Sequence, residues 1–260
     1  MLPKRGDEDM FVNDVNLGKQ YYWRPWLGCH KISEACENCF IKHHDEFILA
    51  DYKTLPFEDE IKPGSIVVTS LQTDFFLKEA DEFRNDAWET IRNHPDLIFL
   101  LITKRLERIN KCLPPDWNQG YENVVICATI ENQKRADERL PILKGITAKH
   151  KWITCSPLLE DINILSYLKE GFIEHVECCG EKGPRDIIRE TKYEWVKNLS
   201  NQCKETDVRF SFMQIGYKFN VKGKIYFERC TCYTSQIANL LGLDNPIPMV
   251  FNLKSLQKIF

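Results

Sequence analysis

Short apolar runs alternate with amphipathic segments along most of the chain. The two runs at 97–103 and 123–129 are almost continuously apolar, which is typical of parallel strands covered on both faces. The strands begin about 22 to 36 residues apart, enough for a strand and a crossover helix. The predicted strands cover residues 65–70, 97–103, 123–129, 151–155, 173–178 and 209–214.

Three intervening segments repeat apolar residues at helical spacing. Their stripes are Phe83, Ala87 and Ile91; Ala136, Leu140 and Leu143; and Trp195, Leu199 and Cys203. Pro141 is expected to kink or end the second helix. A strand near Tyr22–Leu27 and a helix from about Glu37 to Tyr52 are expected to precede them. Repeated strand–helix units predict an α/β fold whose parallel sheet is open or closed into a barrel.

The last 45 residues or so do not follow this alternation of strands and helices. The segment KGKIYF predicts part of a hairpin, and Tyr233–Leu241 predicts a helix that ends at Gly242. We therefore expect a barrel over residues 1–217, with a small C-terminal extension over residues 218–260 packed on it.

Composition and charge argue against two classes of protein, general nucleic-acid binders and membrane proteins. The 35 basic and 38 acidic residues give a net charge of −3, so no global basic field indicates a nucleic-acid binder. No apolar run approaches the length of a membrane span, and the N-terminal residues are charged rather than signal-like. We expect a cytoplasmic protein with no membrane partner.

Eleven cysteines are many for a cytoplasmic chain. Their odd number and the missing export signal argue against a disulfide framework and favour metal binding or chemistry. The pairs Cys178/Cys179 and Cys230/Cys232 would complete a second metal site if the fold brought them together.

The strongest local signal is the segment Cys29-x6-Cys36-x2-Cys39. A structural zinc site or a ferredoxin cluster usually takes four ligands, whereas three cysteines leave one iron of a [4Fe–4S] cluster open. The C-x2-C end followed by Phe40 fits the loop of radical S-adenosylmethionine (radical SAM) enzymes, although their first gap is usually three residues. A zinc site completed by His30 or a distant cysteine stays open, as do three unliganded cysteines.

Polar residues follow several predicted strands, where a parallel barrel places its functional groups. Cations are unfavourable at a helix start unless an anion binds there, so Lys104 and Arg105 suggest a ligand. Plain roles as helix caps, first-turn acids or turn residues remain open for the others. The candidates are Asp74, Lys104, Arg105, Glu131, Asn132, Gly180 and Glu181.

Seven blocks along residues 21–217 resemble, in order, a phage-associated family of unknown function with a radical-SAM-like barrel. The resemblance implies a partial (βα)6 TIM-like barrel of the radical SAM type. It also implies a [4Fe–4S] cluster on Cys29, Cys36 and Cys39, with S-adenosylmethionine (SAM) as co-substrate. The blocks are WRPWLGC with the two later cysteines, VTSLQTDFF, LLITKRLERI, ATIENQKRADERLPIL, TCSPLLEDI, CCGEKGPR and FMQIG.

Twelve residues match that family's pattern, and three positions depart from it. We expect one cation of Lys104 and Arg105 and one acid of Asp74 and Glu131 to contact SAM. The matches are Asp74, Lys104, Arg105, Glu131, Asn132, Gln133, Gly180, Glu181, Gly183, Arg185, Gln214 and Gly216. The departures are Ser156 in place of Glu, Met213 in place of Lys, and Cys179 in place of Gly.

The leading hypothesis is a radical SAM enzyme that takes an electron from an external donor and acts on an unknown substrate. That substrate is a nucleic acid, a nucleotide, a peptide or a partner protein. Cys179 and Tyr226 are candidate hydrogen donors. One alternative is an iron–sulfur protein that binds nucleic acid or a partner without SAM cleavage, using the basic and aromatic stretch Lys218–Arg229. The others are a zinc-stabilised interaction protein and a cluster-based redox sensor.

Overall fold

The computed structural model describes residues 9–13, 20–39, 41, 45–50, 52–56, 60–184, 186–228 and 230–254. Phe40, Arg185 and Arg229, which the sequence analysis singles out, lie outside these ranges. The described strands are β1 (Asp9–Asn13), β2 (Gln20–Trp23), β3 (Trp26–Leu27), β4 (Ile48–Leu49), β5 (Ile66–Thr69), β6 (Ile98–Thr103), β7 (Val124–Thr129), β8 (His150–Cys155), β9 (His175–Cys179), β10 (Thr191–Lys192), β11 (Arg209–Gln214), β12 (Lys218–Val221), β13 (Lys224–Phe227) and β14 (Val250–Lys254). The described α-helices are α1 (Arg84–Asn93), α2 (Ile109–Cys112), α3 (Gln133–Gly145), α4 (Leu165–Lys169), α5 (Tyr193–Glu205) and α6 (Thr231–Leu240).

Seven strands form one parallel sheet that curls into a half-barrel. Their order across the sheet is β11, β9, β8, β7, β6, β5 and β2, and each neighbouring pair is parallel. The predicted α/β fold with a parallel sheet is confirmed, with seven strands where a (βα)6 barrel has six. Because all strands run the same way, their carboxyl ends meet at one rim.

Two apolar layers hold this sheet. On its outer face, side chains such as Trp88, Leu140 and Leu199 from the helices belong to the larger core cluster. On its inner face, Val68, Leu100 and Trp152 form a second cluster. Strands covered on both faces read as continuous apolar runs, which explains why these strands were predictable from sequence.

The predicted elements agree closely with the structure. All six predicted strands lie within two residues of the observed ones, and the three apolar stripes fall on or beside α1, α3 and α5. The hairpin is formed by β12 and β13, and α6 is followed by Gly242 at a φ of 61°. Helix α3 runs past Pro141 to Gly145, so this proline does not end the helix, and the kink that was the other expectation stays a prediction.

The expected helix from Glu37 to Tyr52 is wrong. Residues 34–36 form a single 3-10 turn, and β4 in the later part of the segment pairs antiparallel with β3. The backbone amides of Asp45 and Ala50 donate to the carbonyls of Cys29 and Pro25 rather than to carbonyls within the segment. Long-range pairing with the preceding strand therefore replaces the local hydrogen bonds that a helix requires.

The C-terminal residues close the amino-terminal end of the half-barrel. Strand β14 pairs with β1, and its Phe251 joins the inner apolar cluster, with its ring 4.1 Å from the His150 ring. Met249 and Leu253 are buried in the same cluster. In the described part of the chain, no helix has both the length and the apolar character needed to cross a membrane.

We expect the substitution Phe251→Ala to lower the free energy of unfolding by about 3–5 kcal/mol, because it leaves a cavity in the inner cluster. Val250 on the same strand is 55% exposed, so Val250→Ala is the matched control and should change stability by about 0.5 kcal/mol or less. Urea unfolding of the full chain measures both. Equal effects of the two substitutions would contradict the role given to β14.

Candidate functional site

A cavity of about 710 Å³ opens at the carboxyl ends of the parallel strands. Residues from β2, β5, β6, β7, β8, β9 and β11, or directly after them, line it. It has the size and position of a ligand pocket at a barrel rim. The predicted site residues that line it are Cys29, Cys36, Cys39, Asp74, Lys104, Arg105, Gly180 and Glu181.

Two predicted cofactor-binding residues have structural partners away from the cavity lining. Glu131 is fully buried and forms an ion pair with Arg139, with Oε2 2.6 Å from Nη1. Asn132 is the N-cap of α3, where its side chain accepts from the amide of Arg135. Both therefore fix the start of α3, and a role in binding a cofactor stays a prediction for them.

Asp74 organises the rim at the end of β6. Its carboxylate accepts from the Thr103 hydroxyl at 2.8 Å and from the backbone amide of Phe76 at 2.9 Å. It also forms a buried ion pair with Arg105, 3.0 Å from Oδ2 to Nη1. A buried carboxylate satisfied in this way is held in one position, so Asp74 is fixed before any ligand binds.

Arg105 connects this carboxylate to the cysteine loop. Its Nη1 donates to Cys29 Sγ at 3.4 Å, and its Nη2 donates to the carbonyl of His30 at 2.8 Å. Burial lowers the pKa of Arg105, but Asp74 and Cys29 outweigh it and the pKa is raised. Burial also raises the pKa of the Cys29 thiol, despite the neighbouring Arg105. The guanidinium thus stays charged beside a thiol that is largely protonated without a metal.

Cys36 lies in a different electrostatic environment. Burial raises the pKa of its thiol, but the charge of Lys104 and hydrogen bonds in the Ile32–Ser33 turn lower it by more, so the net shift is downward. A lower pKa increases the thiolate fraction, and the thiolate is the form that binds metals. Cys39 lines the same cavity and is half-buried.

The donor set has the chemistry that an iron–sulfur cluster requires, since three thiols line one cavity and one of them is shifted towards the thiolate. Among the described residues, no three His, Cys, Asp or Glu side chains are gathered as ligands of a single metal ion. The thiols share a cavity, and coordination requires their sulfurs to converge further.

Two further arginines fasten the cysteine loop to the barrel. Arg135 of α3 donates to Glu34 at 3.0 and 3.2 Å. A backbone hydrogen bond to the carboxylate, and after it the hydrogen bonds from Arg135, lower the pKa of Glu34 to about 2. Arg189 is paired with the buried Glu181 and donates to the carbonyl of Glu34 at 3.0 Å. Glu181, predicted to bind a cofactor, therefore positions Arg189 against the loop.

Gly180 lies where two chain segments touch. A Cβ at this position would lie 2.2 Å from the carbonyl oxygen of Ile215, so only glycine fits. The side chain of Gln214 donates to the Gly180 carbonyl at 2.7 Å and holds the two segments together. A close backbone contact, rather than a ligand, explains glycine here.

Residues 47–231 match the family described as "Protein of unknown function (DUF5131)". The match spans 185 of the 260 residues, counting both ends. The chain belongs to this family. No curated protein and no solved structure matches it.

The family match contains the rim after β5 and every later strand of the half-barrel, but begins after the three cysteines. The cysteine loop therefore lies outside the matched residues. It is held in place by contacts with three arginines that lie within them: Arg105, Arg135 and Arg189.

The three departures from the expected pattern all lie in the lining of this cavity. Ser156, Cys179 and Met213 all line it. Burial and the charge of Glu177 raise the pKa of the Cys179 thiol to about 11, although hydrogen bonding with Ser156 opposes this. Cys179 is thus a protonated thiol facing the cavity, whereas Tyr226 is exposed on β13.

The pairs Cys178/Cys179 and Cys230/Cys232 do not form a second metal site. Cys230 and Cys232 are joined to each other by a disulfide, and Cys178 is fully buried in the apolar core. One disulfide is therefore present where the cysteine count argued against a disulfide framework.

Sequence reasoning missed three side chains of this site. Arg189, which contacts the loop, and Glu177, which lines the cavity, lie in none of the quoted blocks. Lys182, which also lines the cavity, lies within the block CCGEKGPR but was not among the candidates. The alternation of β9 was the available signal for Glu177, because His175, Glu177 and Cys179 point to the inner face.

We expect Lys104→Met to raise the pKa of Cys36, because the substitution removes the cation that stabilises its thiolate. The measurement is the pH profile of iodoacetamide labelling at Cys36, followed by peptide mass spectrometry on the metal-free full chain. The midpoint should move to higher pH, whereas Lys149→Met, at a surface pair with Glu122, should leave it unchanged. An unchanged midpoint in Lys104→Met would show that Lys104 does not act on this thiol.

Proposed function

We propose that this protein is a radical SAM enzyme, with a partial barrel of the radical SAM type. The observation that carries the proposal is that Cys29, Cys36 and Cys39 line the same cavity as the fixed charges of Asp74 and Arg105. The loop follows the first strand of the half-barrel, and the cavity lies at the carboxyl rim, where α/β barrels carry their active sites.

In this proposal the three cysteines hold a [4Fe–4S] cluster, and Arg105 positions the loop through Cys29 and the His30 carbonyl. Lys104 lines the cavity without a salt-bridge partner among the described residues, and is available to the carboxylate of SAM. Asp74 acts through Arg105, because its own oxygens are occupied.

The chemistry that the cluster and SAM supply together when bound is one-electron cleavage of the sulfonium carbon–sulfur bond, which starts radical reactions on a substrate. An external donor provides the electron, as expected for a cytoplasmic enzyme of this kind. The chain's own contribution is orientation and the exclusion of water, since apolar side chains such as Leu100 and Ile102 form part of the cavity wall.

Electron paramagnetic resonance tests the proposal on anaerobically reconstituted, dithionite-reduced protein. We expect an S = 1/2 signal of a [4Fe–4S] cluster that changes when SAM is added. Cys36→Ala should lose this signal. Cys112 is a buried free cysteine outside the cavity lining, so Cys112→Ala is the matched control and should keep it.

Two results would overturn the proposal. Stoichiometric zinc with no cluster would identify the three cysteines as a zinc site. A cluster signal that SAM leaves unchanged, with no 5′-deoxyadenosine formed, would indicate a protein that uses its cluster for sensing or binding.

A second candidate is an iron–sulfur protein that binds nucleic acid without cleaving SAM, and the β12–β13 hairpin favours it. Ile225, Tyr226 and Phe227 are 40–49% exposed on β13, which is the outer strand of its sheet. Lys222 and Lys224 directly precede them in the hairpin. Exposed aromatics beside lysines suit stacking bases and phosphates, and binding of single-stranded oligonucleotides that weakens with salt would support this candidate.

A further inference from the structure

The floor of the cavity contains the carboxyl group of Glu177, one oxygen of which has no hydrogen-bond partner among the described residues. Glu177 lies in the middle of β9, beside Thr154 of β8 and Ser211 of β11. It is 6% exposed, it lines the cavity, and its Oε1 is buried with no hydrogen-bond partner among the described residues. Native proteins rarely leave such an oxygen unpaired, so its retention points to a partner that enters the cavity.

Among the described residues, no cation forms an ion pair with Glu177 or offsets the burial of its carboxyl. Burial alone raises the pKa of its carboxyl to about 7. Tyr22, Cys127 and Cys179 are the titratable side chains that interact with it electrostatically, and each has its own pKa raised. Buried Glu131 differs, because its other oxygen is paired with Arg139. We therefore expect a ligand with N–H groups to donate the hydrogen bond that Oε1 of Glu177 lacks among the described residues.

The rest of the cavity indicates the shape and charge of that ligand. Val68, Leu100 and Ile102 form an apolar wall suited to a flat ring. Lys182 lies at the rim with no salt-bridge partner among the described residues, and its charge acts on the same Cys179 thiol as Glu177. A ligand that matches all three features carries amino groups on a flat ring at one end and an anion at the other.

We propose that this cavity binds a nucleotide whose base carries an exocyclic amino group, with the amino group on Glu177 and the phosphate at Lys182. This inference names a substrate class for the proposed enzyme. It rests on the proposed function only for the chemistry that follows binding.

The test is calorimetric titration of the full chain, without reconstitution, at pH 8.5, where the Glu177 carboxyl is ionised. The ligands are AMP, CMP and GMP, with UMP, which lacks the amino group, and ribose 5-phosphate, which lacks the base. A hydrogen bond to a charged group predicts that at least one amino-bearing nucleotide binds about 10-fold or more tightly than UMP and ribose 5-phosphate.

Three variants locate the contacts. Glu177→Met should remove the preference for amino-bearing bases, and Lys182→Met should weaken ribose 5-phosphate and the nucleotides alike. Asp96 is the matched control, because it is 5% exposed, has an unpaired buried Oδ1 and does not line the cavity. Asp96→Asn should bind as the wild type does.

Thermal melting separates a lost ligand contact from a lost fold. Folding raises the pKa of the Glu177 carboxyl from 4.5 to about 7, so this group makes the protein less stable as the pH rises from about 4.5 to about 7, and the loss is complete at pH 8.5. Glu177→Met should therefore melt at or above the wild-type temperature at pH 8.5. A lower melting temperature would reveal a structural partner for Glu177 and overturn the inference.

The inference is also overturned if UMP binds as tightly as the amino-bearing nucleotides, or if Glu177→Met keeps the preference. SAM is titrated as well, because its adenine carries the same amino group. Binding of SAM with no nucleotide binding would assign Glu177 to the adenosine of SAM and overturn the nucleotide inference. None of these readouts needs a cluster, so a failed reconstitution leaves the test intact.

Discussion

The buried ion pair between Asp74 and Arg105 is the interaction on which the geometry of the site depends. Taking both charges out of water costs several kcal/mol for each ion, which is offset only when the remaining donors and acceptors are satisfied. Here they are, because Thr103, Phe76 and Lys104 donate to the carboxylate, while Arg105 donates onwards to Cys29 and His30. The end of β6 and the cysteine loop are therefore placed by one network.

The position of the cysteine loop depends on such side-chain contacts because the backbone of the loop is irregular. Between β3 and β4 the regular structure described is the short 3-10 turn at residues 34–36, so local hydrogen bonds contribute little to the position of the cysteines. Arginines supply the missing contacts from three directions: Arg105 after β6, Arg135 on α3 and Arg189 before β10. A planar group with five donors can bind a carboxylate and a carbonyl at once, and Arg189 does so with Glu181 and Glu34.

The sequence was sufficient to predict strands such as β5, β6 and β7, because they are buried almost entirely on both faces and read as apolar runs. It was misleading at residues 37–52, where amide groups such as that of Ala50 bind carbonyls far back in the chain. The rim after β5 and β6 was predictable, since strand ends of a parallel sheet share one edge. The role of Glu131 was not predictable, because it depends on an ion pair with Arg139, which lies eight residues further along in α3, and because Glu131 does not line the cavity.

The acidic side chains of the cavity are of two kinds, which differ in whether their oxygens have partners within the protein. Asp74 and Glu181 are acids whose partners lie within the protein, so they stabilise its geometry whether or not a ligand is bound. Glu177 is buried to a similar extent, but its Oε1 has no hydrogen-bond partner in the part of the chain that the structure describes, and an unsatisfied buried oxygen costs about 1–3 kcal/mol of stability. An apolar residue would pack there without that cost. The inferred ligand gives a reason for a carboxyl group at this position. In this view the floor of the cavity binds the ligand, whereas the acids at the rim position the cysteine loop.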